Sequence, residues 1–310
     1  MIIFIAGLPK AGTTTLADLL GSVAKKKVEN SFKEPGWFYS GNELVKVSRD
    51  GILTSRKVRW PKPDFINDKL YIDASPHYLS PAMFPAFFDA IKKLDEKQIQ
   101  FKVIVTVRNP VDRAYSHFMH HKRDAIESLD FEEAISQEVV QSRLKDGFWI
   151  GYDYLGESKF FESLKSIQSF LSPDRLLIVP FSEISQGIRL GEKLNGFLPS
   201  GFFSTVSLDS SGRTLNASGV PSGLLSEVVV GFLNKCSRLE VMLRKNKFLY
   251  SVAKIAKQKA FGLVTLRKPD VNPILYKRLD QGFEQEHKFM EQLAYGNRGK
   301  SPKLPKQVAK

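Results

Sequence analysis

The segment Gly7-Leu8-Pro9-Lys10-Ala11-Gly12-Thr13-Thr14 gathers two glycines, a lysine and two hydroxyls into one short stretch. Glycines let the backbone turn tightly and present its N–H groups, and those groups, with hydroxyls and an ammonium, can bind a phosphate. The nucleotide-kinase form of such a loop carries lysine directly after the second glycine. Here Thr13 holds that position and Lys10 stands two residues ahead of Gly12. A lysine so displaced points at a group on a single 5′-phosphate, whereas a kinase lysine serves β- and γ-phosphates. A mononucleotide with one transferable group fits it better; a glycine turn with an incidental lysine is the plain alternative.

A second cationic position follows the run FKVIVTV, which ends at Arg108 and is succeeded by Asn109-Pro110-Val111-Asp112-Arg113-Ala114-Tyr115-Ser116. Proline in the first turn starts a helix, so Arg108 falls at the carboxyl end of a strand, where open α/β sheets bind ligands. Arg108 could grip a second phosphate by a paired, charge-assisted contact and Ser116 by its hydroxyl. Alone, an arginine there is as readily a structural ion pair. Beside the first loop it indicates a nucleotide with phosphates at two separate positions.

The elements that must position these residues alternate regularly. Ile2–Ala6 is an apolar, β-branched run, and the stretch from Thr14 to Val23 repeats Leu16, Leu19, Leu20 and Val23 on one helical face. Lys69 to Ala74 reads as a second strand stopped by Ser75-Pro76, Phe101–Val107 as a third buried on both faces, and Leu176–Pro180 as a fourth. Helical patterns from Pro81 to Leu94, Val111 to His121, Phe131 to Ser142 and Tyr154 to Leu171 lie between them. This alternation predicts an α/β fold, a P-loop-like parallel sheet flanked by helices. Beyond Phe181, residues 200–223 read as loop, 224 to about 259 as a long helix and 273–293 as another, a helical C-terminal extension. The predicted organisation is a single domain over 1–295, with a nucleotide-binding core to about 185, a basic helical part over about 224–295 and a disordered tail over 296–310.

Together GLPKAGTTTL and VRNPVDRAYSHF resemble the two motifs by which the sulfotransferase superfamily binds 3′-phosphoadenosine 5′-phosphosulfate, PAPS. The resemblance continues through Lys33-Glu34-Pro35 with Trp37-Phe38, through IDASPHYL, and through Gly151-Tyr152 followed by LLIVPFSEI, so it covers roughly residues 1–185. Its order and spacing resemble the carbohydrate and heparan-type branch more than the cytosolic small-phenol branch. It implies in-line transfer of a sulfuryl group from PAPS to a hydroxyl acceptor, a glycan first among candidates, with PAP as product and no metal. It also implies that Lys10, Ala11, Gly12, Thr13 and Thr14 hold the 5′-phosphosulfate, with Lys10 near the bridging oxygen, and that Arg108 and Ser116 hold the 3′-phosphate. Arg213 lies where the family places a loop over the nucleotide, although the family's usual arginine after the proline is Ser222 here.

An acceptor hydroxyl has a high pKa and calls for a base as its new bond forms. Asp73 aligns with the acid of the heparan-type E-K-S-P-x-Y-F motif, which here reads Asp73-Ala74-Ser75-Pro76-His77-Tyr78-Leu79. The acid is one methylene shorter, and with Ala74 in place of the lysine, Lys33 becomes the candidate to cover the donor sulfate. His77 is the second candidate base, or a substrate contact; Asp73 has the alternative of capping the Ser75 turn. Trp37, Phe38 and Tyr39 are candidates to stack on a sugar face. His117, His120 and His121 have helical spacing but no clear carboxylate partner, weak grounds for a metal.

The chain has 310 residues and a net charge of +13, unevenly placed: 28 Lys and Arg against 27 Asp and Glu over 1–234, but 12 against 2 over 235–278. A solvated helix face or a surface for an anionic polymer or membrane accounts for the second stretch; no recognised nucleic-acid motif accompanies it. The single cysteine, Cys236, fits a reducing compartment, and no signal segment or apolar run of about 20 residues is seen, so the expectation is cytoplasmic. Two rival readings stand: a P-loop small-molecule kinase, opposed by Thr13, and a polyanion-binding protein without catalysis.

Overall fold

A computed structural model describes residues 1–30, 33–39, 44–49, 52–57, 62–124, 126–184, 187–207, 220–221, 266–267 and 271–296. Its centre is a four-stranded parallel sheet of β1 (Ile2–Gly7), β4 (Tyr71–Asp73), β5 (Phe101–Val107) and β6 (Leu176–Pro180), in the order β4-β1-β5-β6. The register aligns Phe4 with Asp73 on one side and with Val103 on the other. β5 therefore runs level with the end of β1, Gly7 opposite Thr106, whereas β4 stops at Asp73, three residues short of it.

Side chains alternate across a strand, and the sequence exploits this on both faces. Ile2, Phe4 and Ala6 of β1, with Phe101, Val103, Val105 and Val107 of β5, pack into one core beneath α2 (Phe84–Glu96) and α6 (Phe161–Phe170). Ile3 and Ile5, with Ile104, face the opposite core beneath α1 (Thr13–Ser22) and α8 (Gly187–Phe197). Phe4 is fully enclosed, its ring edge-on to those of Phe38, Tyr78, Phe87 and Phe101. Burying such a ring stabilises the fold by roughly 2–3 kcal/mol. The predicted α/β class and the strands at 101–107 and 176–180 match the observed elements.

Several boundaries differ. The pattern over 131–142 is two helices, α4 (Phe131–Ala134) and α5 (Gln137–Lys145), because Ser136 turns extended and its hydroxyl caps the Val139 amide. The pattern over 154–171 is a short 3-10 turn, Gly156–Ser158, followed by α6, and that over 273–293 divides into Pro273–Asp280 and Glu284–Gly296. β2 (Leu44–Arg49) and β3 (Ile52–Lys57) form an antiparallel pair that sequence reasoning did not read, and α8 also went unread. The long helix expected over 224–259, the tail from 297, and most of the basic stretch 235–278 lie outside the described residues.

Candidate active site

The loop after β1 takes two left-handed steps, at Lys10 with φ 70° and at Gly12 with φ 95°. A non-glycine residue pays for such a conformation in strain, and strain of this kind clusters at ligand sites. The Ala11 amide donates to the Leu8 carbonyl, closing the turn. Gly12 then caps α1 with no side-chain hydrogen bond and no acid in the first turn, so the first amides of α1 keep the positive end of the helix for an anion. Gly7 is obligatory for another reason: a Cβ there would come within 2.2 Å of Thr106 Oγ1 on β5.

Arg108 leaves the end of β5 and turns back over this loop. Its Nη1 donates to the Lys10 carbonyl at 2.9 Å and its guanidinium lies 4.4 Å above the Phe181 ring. The Lys10 ammonium has no ion-pair partner among the described residues. Burial first, then the nearby charges of Arg123 and Arg108, push its pKa down to about 8. Cations crowded so closely are in want of an anion, and this is the test that a phosphate-bearing ligand passes here. Ser116 lies on α3 (Pro110–Arg123), buried at 2% exposure, two turns beyond the Asn109 cap that accepts from the Asp112 amide. Thr13 is buried and Thr14 half-buried at the start of α1.

Two sequence motifs are laced together at the end of β4. The Ala74 amide donates to the Lys33 carbonyl, the Gly36 amide to Ser75 Oγ, the Phe38 amide to Tyr78 Oη and the His77 amide to Tyr39 Oη. Within this lacing Asp73 is fully buried. Its Oδ1 accepts from both the amide and the hydroxyl of Ser75, and its Oδ2 accepts from Tyr78 Oη. Desolvation raises its pKa to about 7 against those hydrogen bonds. The shorter acid thus caps its own turn and turns both oxygens inward.

His77 is oriented otherwise. Its Nδ1 makes a short contact with Oε2 of Glu157, while its ring stands edge-on to Trp149 at 4.9 Å and to Tyr39 at 5.9 Å. Glu157 is held in the 3-10 turn that Arg113 ties down. That arginine, fully buried, donates to Ser158 Oγ, to the Tyr154 carbonyl and, across to the donor loop, to the Pro9 carbonyl.

Other expected residues fall elsewhere. The Lys33 ammonium lies 3.6 Å from Asp18 of α1, and burial lowers its pKa. Trp37, Phe38 and Tyr39 are core residues at 5%, 9% and 7% exposure, Trp37 packed edge-on to Phe65 and Tyr71. Their rings present no open face to a sugar, which corrects the stacking expectation for Trp37: the apolar core beneath β1 and β4 takes them instead. Arg213 lies outside the described residues. Glu157 and Arg113 were missed as site residues; no local spacing links Glu157 to a histidine 80 positions earlier.

A glycine loop on an uncapped helix, with a second cationic strand end beside it, defines a nucleotide-dependent group-transfer fold. Residues 2–189 match the family model described as "Sulfotransferase domain", and the chain belongs to that family. The fold is similar to that of a sulfotransferase from Alicyclobacillus acidocaldarius, at 18% identity and TM-score 0.51, over 80% of this chain and 98% of that one. A mouse sulfotransferase, SULT7A1, solved in complex with PAP, aligns at 15% identity over 77% of this chain and 66% of its own with a TM-score of 0.28, too slight a likeness to carry an argument. No curated protein matches. The protein is accordingly an enzyme of PAPS-dependent sulfuryl transfer to a hydroxyl acceptor, with PAP as product, and the kinase reading falls away. No helix among the described residues is long and apolar enough to cross a membrane.

Proposed function

We propose that the enzyme sulfates a carbohydrate hydroxyl in the cytoplasm. The observation that carries the acceptor class is the lacing of segment 33–39 onto 73–80, since these are the motifs by which the chain resembles the heparan-type branch. The composition of 235–278, 12 Lys and Arg against 2 Asp and Glu, favours an anionic acceptor.

When bound, PAPS supplies a sulfuryl group on a phosphate leaving group. Lys10 neutralises charge on the bridging oxygen side, while Ala11, Gly12, Thr13 and Thr14 offer amides and hydroxyls to the 5′ end. Arg108 and Ser116 would hold the 3′-phosphate, with Arg213 a further donor-binding candidate on the family resemblance alone. Lys33 remains a cation for the sulfate side, reached by releasing Asp18. At the end of β4, His77 takes the acceptor proton. Asp73, with no exposed surface and both oxygens engaged, anchors the turn that presents it.

Calorimetry tests the donor half: PAP should bind well above ADP and ATP and lose affinity in Lys10→Ala and Arg108→Ala. Sulfate-labelled PAPS offered with heparan-type oligosaccharides, a tyrosine peptide and a sterol tests the acceptor half. Labelling of the peptide or sterol alone would reject a carbohydrate acceptor.

A further inference from the structure

We infer that Glu157 is the positioning residue that fixes the tautomer of His77 and leaves its Nε2 as the proton acceptor. The inference rests on the proposed role of His77. Glu157 is 1% exposed and would ordinarily be neutralised by burial. Its pKa is nevertheless lowered, the His77 contact and the Arg113 charge outweighing desolvation, and it is the placement of Oε2 against Nδ1 that decides which nitrogen carries the proton. An ionised carboxylate is an acceptor only, so the nitrogen facing it, Nδ1, carries the proton and Nε2 keeps its lone pair.

The rest of the surroundings serve the same orientation. The ring is bounded by Trp149, by Tyr39 and, at 6.2 Å, by His117. Burial first, then His121 and Arg113, keep the pKa of His117 well below the usual histidine value, so it stays neutral and competes for no proton. Tyr39, whose pKa burial pushes well up, is neutral as well. Glu157 is thus the one carboxylate among the described residues in direct contact with the imidazole, and 10% of the His77 side chain remains exposed. Arg113 bonds both the Pro9 carbonyl and the turn bearing Glu157, so the same side chain fixes the distance between the donor loop and the base. The Gly156 amide donates to Asp153 Oδ1 at the start of that turn.

The chemical step balances without another reactant. The acceptor O–H gives its proton to His77 Nε2, the oxygen's electron pair forms the new bond to sulfur, and the bond from sulfur to the 5′-phosphate oxygen breaks with its pair on the phosphate. The imidazolium is stabilised by Glu157, much as a buried carboxylate supports the histidine of a hydrolase triad.

The test uses full-length protein with nitrogen-labelled histidine. Nitrogen-15 spectra of the native protein are expected to show His77 protonated at Nδ1 and bare at Nε2, and Glu157→Gln is expected to redistribute the proton. With water as the acceptor, sulfate release from PAPS is expected to fall about 10- to 100-fold in Glu157→Gln with KM for PAPS unchanged, and the acidic limb of its pH profile to move to lower pH. In a His77→Asn background the second change should add nothing. A native His77 protonated at Nε2 alone, or a folded Glu157→Gln with native rate and pH profile, overturns the inference; the first reading holds even if the variant does not fold. PAP calorimetry on the same samples separates this failure from failure of the donor assignment, which would abolish PAP binding in the native protein.

Discussion

Arg108 donates from Nη1 to the main-chain carbonyl of Lys10 at 2.9 Å, joining two motifs 98 residues apart. The arginine proposed for the 3′-phosphate thus also holds the loop proposed for the 5′ end. Arg108→Lys keeps the charge but loses the planar fork. PAP affinity is expected to fall about 10- to 100-fold, on the order of a lost charge-assisted pair, and the loop to loosen. Calorimetry with PAP, and with adenosine 5′-monophosphate as a control lacking the 3′-phosphate, checks this; equal losses for both ligands would place the effect in the loop alone.

Lys10 is expected to make PAP binding pH-dependent. Its folded pKa of about 8 lies below the ordinary 10.5, so between those values the unfolded chain keeps a proton that the folded one has released. Stability from this group therefore rises with pH across that window. Bound phosphate favours the ammonium, so binding near pH 8.5 (a value inside that window) should take up a proton, and affinity should weaken as pH climbs further. Calorimetric heats that do not vary with buffer ionisation enthalpy would contradict this.

Asp73 predicts the opposite slope. Its folded pKa of about 7 exceeds the ordinary 3.8, so the folded protein holds a proton between them that the unfolded chain has lost. The contribution is full below the lower value and disappears as pH rises through the upper one. Asp73→Asn, nearly isosteric, should gain in stability relative to the native protein from acid to neutral pH in urea titrations. It should also retain most of the transferase rate, whereas His77→Asn should lose on the order of 100-fold or more. The reverse ranking would return the base role to Asp73.

Gly12→Ala should damage both fold and function. Its φ of 95° disfavours a side chain, and the new methyl would lie 2.4 Å from Ile184 Cδ1 and 3.2 Å from Phe181 Cδ2. A cost of about 1–3 kcal/mol in denaturant midpoint analysis is expected, with PAP affinity reduced further because Phe181 also supports Arg108.

What was legible in the sequence was what repeats locally. FKVIVTV declared a buried strand by its own composition, and the glycines declared a tight turn between β1 and α1. The β2–β3 pair was legible too, since Asp50-Gly51 between two β-branched runs is a hairpin signal that went unread. Contacts made by folding were not legible. The burial of Trp37 depends on Phe65 and Tyr71, and the orientation of His77 on Glu157, partners that no periodicity names. The inward turn of Asp73 shows a third kind: the sequence offered both a base and a cap on the Ser75 turn, and the geometry makes the cap.

The order β4-β1-β5-β6 has a consequence for biosynthesis. β1 is translated before both of its partners yet sits between them in the sheet, and they are encoded about 70 and 100 residues downstream. At synthesis rates of about 5–20 residues per second, this fully apolar segment waits several seconds for β5, longer if the exit tunnel still shelters its partner. During that interval chaperones have their opening, and slow codons between β1 and β5 would lengthen it.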